Sequence, residues 1–316
     1  MVAVLGYLIT PDKSYAANEM HLELSLKPPG YSASVVSPLD STPNPNMFSI
    51  MANGKPNKGS IFLWSANGDT SLANVLKAND WYQPAELEEK IESKRFLLGT
   101  DIFGRDVWSR LLLGTRISLS VGLISVLISI VLGIFFGLIA GYYRGWVDKV
   151  VMWLINVIWS LPTLLLVIAI TFALGKGFWQ IFIAVGITMW VELARIVRGQ
   201  VFSLREMEYV QAAKMLGYSD LRIMFKHMLP NLVGPIVVIS AANFASAILL
   251  EAGLSFLGLG VQPPFPSWGQ MLNENYSYIA FDAAHLALAP GFAIMLLVMS
   301  FNFVGNGLRD ALDVRM

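Results

Sequence analysis

Few side chains in this sequence have the types and spacing that bond chemistry requires. The three histidines, His21, His227 and His285, are too scattered for a metal site or a catalytic triad. Cysteine is absent, which removes disulfides, thiolate metal ligands and cysteine nucleophiles. Gly54-Lys-Pro-Asn-Lys-Gly59-Ser60-Ile61 has the glycine spacing of a phosphate loop but lacks its Lys-Ser/Thr ending. The polar candidates that remain sit in or beside long apolar runs: Asn156, Ser160, Glu192, Asn243, Ser246 and Glu251. A carboxylate within a bilayer costs about 2.5–3.5 kcal/mol on insertion scales, so it faces a partner or an aqueous path. Glu192, three residues before Arg195 and near one end of its run, reads as a structural ion pair. Glu251 either lines a path or hydrogen-bonds a broken helix.

The elements that position these residues follow from charge placement. Hydrophobic residues make up 55% of the 316, and of the 44 charged residues only 17 fall in 117–308. Net charge is zero, which argues against nucleic acid as a partner. A helix needs about 20 apolar residues to cross a bilayer. Ile117–Tyr143, Val150–Gly175, Phe178–Val191 (extended past Glu192 by Leu193 and Ala194), Leu229–Leu250 and Leu286–Leu308 supply five such runs. Pro162 predicts a kink in the second of these and a freed backbone carbonyl. Met1–Ile9 is too short to cross and has no preceding basic region, so it reads as the tail of a further span, entered partway through a truncated or late start. A short interfacial segment is the alternative.

Lys and Arg concentrate in 144–149, 195–228 and 309–316 and are absent from 252–285, which places the first three segments in the cytoplasm and 10–115 outside. The expected organisation is a span remnant at 1–9, an external insertion at 10–96, an amphipathic entry at 97–116, a membrane core at 117–308 containing the cytoplasmic segment 197–230, and a cytoplasmic tail at 309–316. Turn signals such as Pro28-Pro29-Gly30, a strand-like Ile61–Trp64 and a Glu/Lys-rich helix over Pro84–Lys94 predict a small mixed β/α insertion. Gly133, Gly137 and Gly141 recur every four residues on one helix face, which permits close backbone approach, although glycine is also common in membrane helices generally.

The segment 208–231 carries the most information. Gln211–Leu216 reads as helix and Gly217 as the C′ residue that turns the chain. Ser219 caps a second short helix from Asp220 towards His227, with Leu221, Met224 and Phe225 on one side, and Pro230 closes it. This predicts either a compact projecting knob or an amphipathic loop on lipid headgroups.

Here the sequence resembles a known family. Gln211-Ala212-Ala213-x3-Gly217-x11-Leu229-Pro230 is similar to the EAA signature of ABC-importer permeases. Leu98-Gly-Thr-Asp-x-x-Gly-Arg-Asp-Val107, Arg116-Ile-Ser-Leu119, Ala140-Gly-Tyr-Tyr-x-Gly-Trp-x-Asp148, Ala194-Arg-x-Val-Arg-Gly-Gln200 and the stretch from Leu254 to Gly269 resemble the C-type permease subunit of the dipeptide/oligopeptide and nickel branch. The resemblance covers about 97–316. It implies an all-α integral membrane fold of the type I (MetI-like) importer class, to which the charge-free runs above supply five complete spans and Met1–Ile9 a remnant. It also implies ATPase coupling through Gln211, Ala212, Ala213, Gly217, Asp220, Leu221, Phe225, Leu229 and Pro230; the polar residues within the spans, Asn156, Ser160, Asn243, Ser246 and Glu251, are the candidates to line a path.

The implied partners are a homologous B-type permease, two cytoplasmic ATPase subunits that bind ATP and Mg, an external substrate-binding protein docking where Trp268 lies, a peptide substrate and the bilayer. No cofactor and no catalysis are expected of this chain itself. Three departures stand out: Gln211 where the family has Glu, with Glu208 one turn earlier; Trp153 and Asn156 where the family often pairs Arg with Asp; and the incomplete first span. Nickel chelates or another small solute are the alternative cargo, and an interaction module working through 10–96 is the alternative of another class.

Overall fold

Glycines such as Gly175, Gly217 and Gly258, with Pro162 and the charge-free runs, divide this chain into long helices separated by short turns. The computed structural model describes residues 6–7, 9–12, 14–36, 47–54, 61–63, 91–175 and 177–312. Most of 1–9 lies outside them, as do the glycine-spaced 55–60 and the helix expected over 84–90. The chain divides into two units, Met1–Ile117 with Pro263–Phe292, and Ser118–Gln262 with Ala293–Met316. Segment 263–292, expected within the membrane core, therefore packs with the N-terminal unit.

In the first unit, β1 (Tyr31–Val36), β2 (Ile61–Leu63) and β3 (Ile91–Phe96) build a small antiparallel sheet of order β2-β1-β3, with α1 (Met47–Asn53) between β1 and β2 in the chain. β1 sits in the middle, with Tyr31 opposite Phe96 and Ser34 opposite Leu63. The helix expected to run through Lys94 is instead this strand. From Ser93 to Phe96 the side chains alternate between outward and inward, with Ser93 and Arg95 exposed and Phe96 buried against Leu24 and Ala33. Alternation at period two cannot serve a helix.

α2 (Val107–Tyr143) is one unbroken 37-residue helix, so the amphipathic entry and the first charge-free run form a single element. Asp106 caps it, accepting from the Ser109 backbone N–H at 3.2 Å. In the second unit follow α3 (Gly145–Trp159), α4 (Thr163–Leu174) and α5 (Phe178–Arg205). Pro162 does more than kink its run: α3 and α4 meet at 95° across Ser160-Leu161-Pro162. A proline at the head of α4 has no N–H to give back to α3, so the ladder stops there.

After α6 (Glu208–Met215) the chain forms α7 (Asp220–Phe256), which is α-helical over Asp220–Arg222, π-helical over Ile223–Met228 and α-helical again from Leu229. Pro230 therefore does not close a short helix. It lies in the first turn after the wide π stretch, where its missing N–H is accommodated and the helix runs on. α8 (Trp268–Asn275) belongs to the first unit, and α9 (His285–Leu312) runs through both. Among the described residues, four helices are long and apolar enough to cross a membrane, and a fifth crossing is available if the bent α3–α4 pair counts as one.

The glycine face of α2 meets α5. A Cβ on Gly133 would lie 2.8 Å from Leu193, one on Gly137 2.7 Å from the Ala194 carbonyl oxygen, and one on Gly141 2.7 Å from Val201. Between apolar helices in lipid, this close packing replaces the hydrophobic drive available in water. Gly137→Ala forces backbone apart and should cost about 1–3 kcal/mol, seen as a lower thermal midpoint in detergent. Gly199→Ala, on the same helix as Ala194 but with open space at its Cβ, should be neutral or slightly stabilising.

Candidate coupling knob and membrane cavity

The segment 206–231 folds as a tight elbow. Gly217 takes φ +75°, the Gly217 N–H bonds to the Lys214 carbonyl at 3.0 Å, and the Tyr218 N–H bonds to the Ala213 carbonyl at 3.2 Å. These are the two hydrogen bonds of a Schellman close, which a left-handed residue makes possible. Ser219 precedes the next helix with extended geometry, but its side chain makes no capping hydrogen bond, contrary to the sequence reading. Across the elbow, Arg222 stacks over Tyr218 and Tyr218 stacks on His227, while Asn231 donates to the Tyr209 hydroxyl at 3.2 Å and ties α7 to α6.

Burial sorts the expected coupling residues into anchors and surface. Ala213 is buried with Val210, Ile223, Met224, Met228 and Leu232 in one core. Gln211, Ala212, Gly217, Leu221, Phe225 and Pro230 are exposed. Leu229 packs at the edge of that core, and Asp220 accepts from the Tyr142 hydroxyl at 2.6 Å. Met224 thus parts company with Leu221 and Phe225, because the π turn breaks the three-and-four spacing that would have aligned them. Met215 and Leu216, not singled out from sequence, are 89% and 73% exposed. Glu208 and Gln211 both face outward on α6, and the Gln211 amide donates to the Glu206 carbonyl at 3.2 Å.

The knob is held by charge as well as packing. Arg198 forms a two-point pair with Asp148, Arg144 donates to Glu206 at 2.7 Å, and Arg205 donates to the Tyr142 carbonyl at 2.8 Å. A bidentate guanidinium–carboxylate pair fixes orientation as well as distance.

The residues expected along a path separate. Asn243 and Ser246 share a cavity of about 190 Å³ with Thr163, Thr188 and Glu192, beside the α3–α4 break. Asn156 and Ser160 do not line it; Asn156 accepts from Arg195 at 3.2 Å and Ser160 donates to the Val157 carbonyl. Glu251 is fully buried, accepting from Ser255 at 2.7 Å and from Ser118 at 3.4 Å, so it holds α7 to α2 instead of facing the cavity. The expected Glu192–Arg195 pair is not made. Arg195 lies over the Trp159 ring, 3.8 Å from its centre, and Glu192 sits midway along α5 rather than near its end. Trp153, which stands where the family often has a charge, is exposed.

Sequence reasoning passed over a buried charge cluster in the first unit. Asp101 and Arg105, both in the Leu98–Val107 motif, pair at 2.6 Å, and Arg105 also donates to Glu274 of α8 at 2.6 Å. Arg110 approaches both acids, at 3.9 and 3.6 Å, and Asn18 accepts from both arginines. The two arginines lie 87 and 92 positions from Asn18, and Arg105 lies 169 from Glu274, so spacing alone cannot pair them. Gly104, at φ +72°, lets the motif pass the His21 carbonyl, which a Cβ would strike at 1.7 Å. Burial pushes the Asp106 carboxyl above its usual range, partly offset by the hydrogen bonds from Ser109. Trp268, expected on the outer face, is 5% exposed; its indole donates to the Leu111 carbonyl at 2.9 Å and fills the space over Gly114.

Apolar helices of crossing length and a helical pair broken at proline define a polytopic helical membrane protein. Residues 133–316 match the family described as binding-protein-dependent transport system inner membrane component, and the chain belongs to that family. It is 43% identical over 239 residues to the glutathione transport system permease protein GsiD of Pectobacterium atrosepticum, covering 76% of this chain and 79% of that one. It is 45% identical over 218 residues to the dipeptide transport system permease protein DppC of Alkalihalophilus pseudofirmus, covering 69% and 71%. Among solved structures, a chain of the inward-facing MetNI methionine ABC transporter aligns with a TM-score of 0.53 at 19% identity, over 64% of this chain and 96% of that one. That likeness is one of fold, the type I importer permease.

Removing one acid from the Arg105–Arg110 cluster strands a buried guanidinium. Glu274→Ala should destabilise by about 3–5 kcal/mol, and Glu274→Gln, which can still accept hydrogen bonds, by less. Thermal unfolding of the purified protein in detergent checks both.

Proposed function

We propose that this chain forms one half of the translocation path of an ATP-driven importer of di- and oligopeptides, alongside a homologous B-type permease. The observation that carries the reading is the knob, where Met215, Leu216, Leu221 and Phe225 stand exposed on an elbow anchored by Ala213, Met224 and Met228. Large apolar side chains presented together on a braced projection mark a protein contact. The partner is a cytoplasmic ATPase subunit, one of two, which binds ATP and Mg and does the hydrolysis. Peptide as cargo is supported by similarity to GsiD and DppC. An external binding protein delivers it on the side of the 10–115 segment.

Closure of the ATPases moves the knob, and the continuous α7 carries that motion into the membrane, so the path alternates between two states biased by nucleotide. The basic residues of 144–149, 195–228 and 309–316 support a cytoplasmic knob and tail.

Leu221→Glu combined with Phe225→Glu, which leaves the buried anchors intact, should weaken ATPase retention in a pull-down about tenfold or more, or about 1.4 kcal/mol. Gly217→Pro and Ala213→Asp, which disturb the elbow itself, should do the same. Undiminished retention in all three would remove the coupling role. Because the chain has no cysteine, single replacements report sidedness cleanly. Met215→Cys should react with an impermeant maleimide only in inverted vesicles, and Ser93→Cys only in intact spheroplasts.

A further inference from the structure

The cavity at the α3–α4 break sets a group of oxygen-bearing side chains against an apolar wall. Thr188 Oγ1 donates its proton to the Val185 carbonyl at 2.8 Å, and Ser246 Oγ to the Ala242 carbonyl at 3.2 Å. With their protons spent on their own helices, both hydroxyls present lone pairs to the cavity. Asn243 contributes an amide and Glu192 a carboxylate, while Lys, Arg and His are missing from the lining among the described residues. Arg195, the nearest basic group in sequence, stacks over Trp159, a ring that is itself part of the lining, and donates to Asn156. Glu192 is exposed midway along α5, with no salt bridge or hydrogen bond among the described residues. An ionised group at such a position is costly unless something pairs with it.

An ammonium group is the complement of this lining, since it has three donors and no acceptor. Size narrows the ligand further. Pockets that enclose a whole small ligand run to about 300–1,000 Å³, so about 190 Å³ takes one end of a peptide and not all of it. Leu166, Met189 and Leu250 give that end an apolar wall. We propose that Glu192, with Thr188, Asn243 and Ser246, is a transit subsite for the α-ammonium group of a peptide, a proposal that rests on the peptide-import reading above. A transit site must bind well enough to admit its cargo and weakly enough to release it. A single carboxylate backed by neutral oxygens in an open cavity meets both conditions.

The test uses the complete transporter, with both permeases, both ATPases and the binding protein, in proteoliposomes. The probes are dialanine with a free amino group and its N-acetyl derivative, and the readout is uptake per ATP hydrolysed. Glu192→Gln should lower uptake of free dialanine about tenfold, while stimulation of ATPase activity by loaded binding protein stays within about twofold and Glu192→Asp keeps most of the uptake. Any uptake of N-acetyl-dialanine should be unaffected by Glu192→Gln. The subsite is overturned if free-dialanine uptake survives Glu192→Gln, if uptake and ATPase stimulation fall together, or if both peptides are affected alike. A wild-type transporter that moves no peptide sinks the import reading and the subsite together; wild-type uptake that persists in Glu192→Gln sinks the subsite alone.

Discussion

The second unit depends on the approach of α2 to α5 along Gly133, Gly137 and Gly141. In lipid, two apolar helices gain little by hiding surface from each other, because the lipid tails are as apolar as they are. What holds them is the density of atomic contact, and each added methyl group on the glycine face would replace attraction with overlap. The partners of those glycines, Leu193, Ala194, Val197 and Val201, lie on the half of α5 that also carries Arg195, Arg198 and Arg205, and they begin directly after Glu192. Fixing α5 against α2 therefore fixes the cavity carboxylate and the arginines that brace the knob at once. Leu193, Val197 and Val201 share a core with Ile223, Met228, Leu232 and Ile236 of α7, so the coupling elbow rests on the same contact.

Charge is handled differently in the two units. Around the knob, arginines reach carboxylates on neighbouring helices and also lie across aromatic rings, as Arg198 does on Phe202 and Arg222 on Tyr218. Such cation–π contacts hold a guanidinium in place while leaving part of it open to water. In the first unit, Arg105 and Arg110 are buried outright and depend on Asp101 and Glu274 for compensation. Removing both arginines and both acids for apolar groups of similar size would be less damaging than losing one member, because the cost lies in the unpaired charge.

Much of this was legible in the sequence. Charge-free runs gave the helices because the bilayer imposes a length and forbids most charges. The turn at Gly217 was readable because a left-handed C′ residue has few chemical solutions. The four-residue glycine spacing marked a contact face but did not name α5 as its partner, since spacing carries no information about what lies across a gap. Strand β3 was misread because Glu- and Lys-rich segments have good helix propensity, and pairing with β1 overrode it. Trp268 was placed on the outer face because 252–285 has no Lys or Arg and the family resemblance implied docking there, yet the gap over Gly114 takes the indole in. The Arg105–Glu274 pair joins residues 169 apart, and no local pattern encodes such a partner. Glu192 was matched to the nearest basic residue in sequence, when the Trp159 ring offered Arg195 a better place.

The π stretch over Ile223–Met228 has a consequence for how α7 meets its neighbours. Met224, Met228, Leu232 and Ile236 lie every four residues and are all buried, so the span has a well-defined inner stripe. A wide turn amounts to one extra residue let into a helix, and one residue corresponds to about 100° of rotation. The first turn of α7 is therefore out of phase with the rest, and Leu221, three residues before Met224, faces outward at 63% exposure. Substitution can alter what that turn presents, but only a change in chain length can alter where it points. Helical phase is thus a property of the knob in its own right, set by a single inserted residue and independent of the side chains that it turns outward.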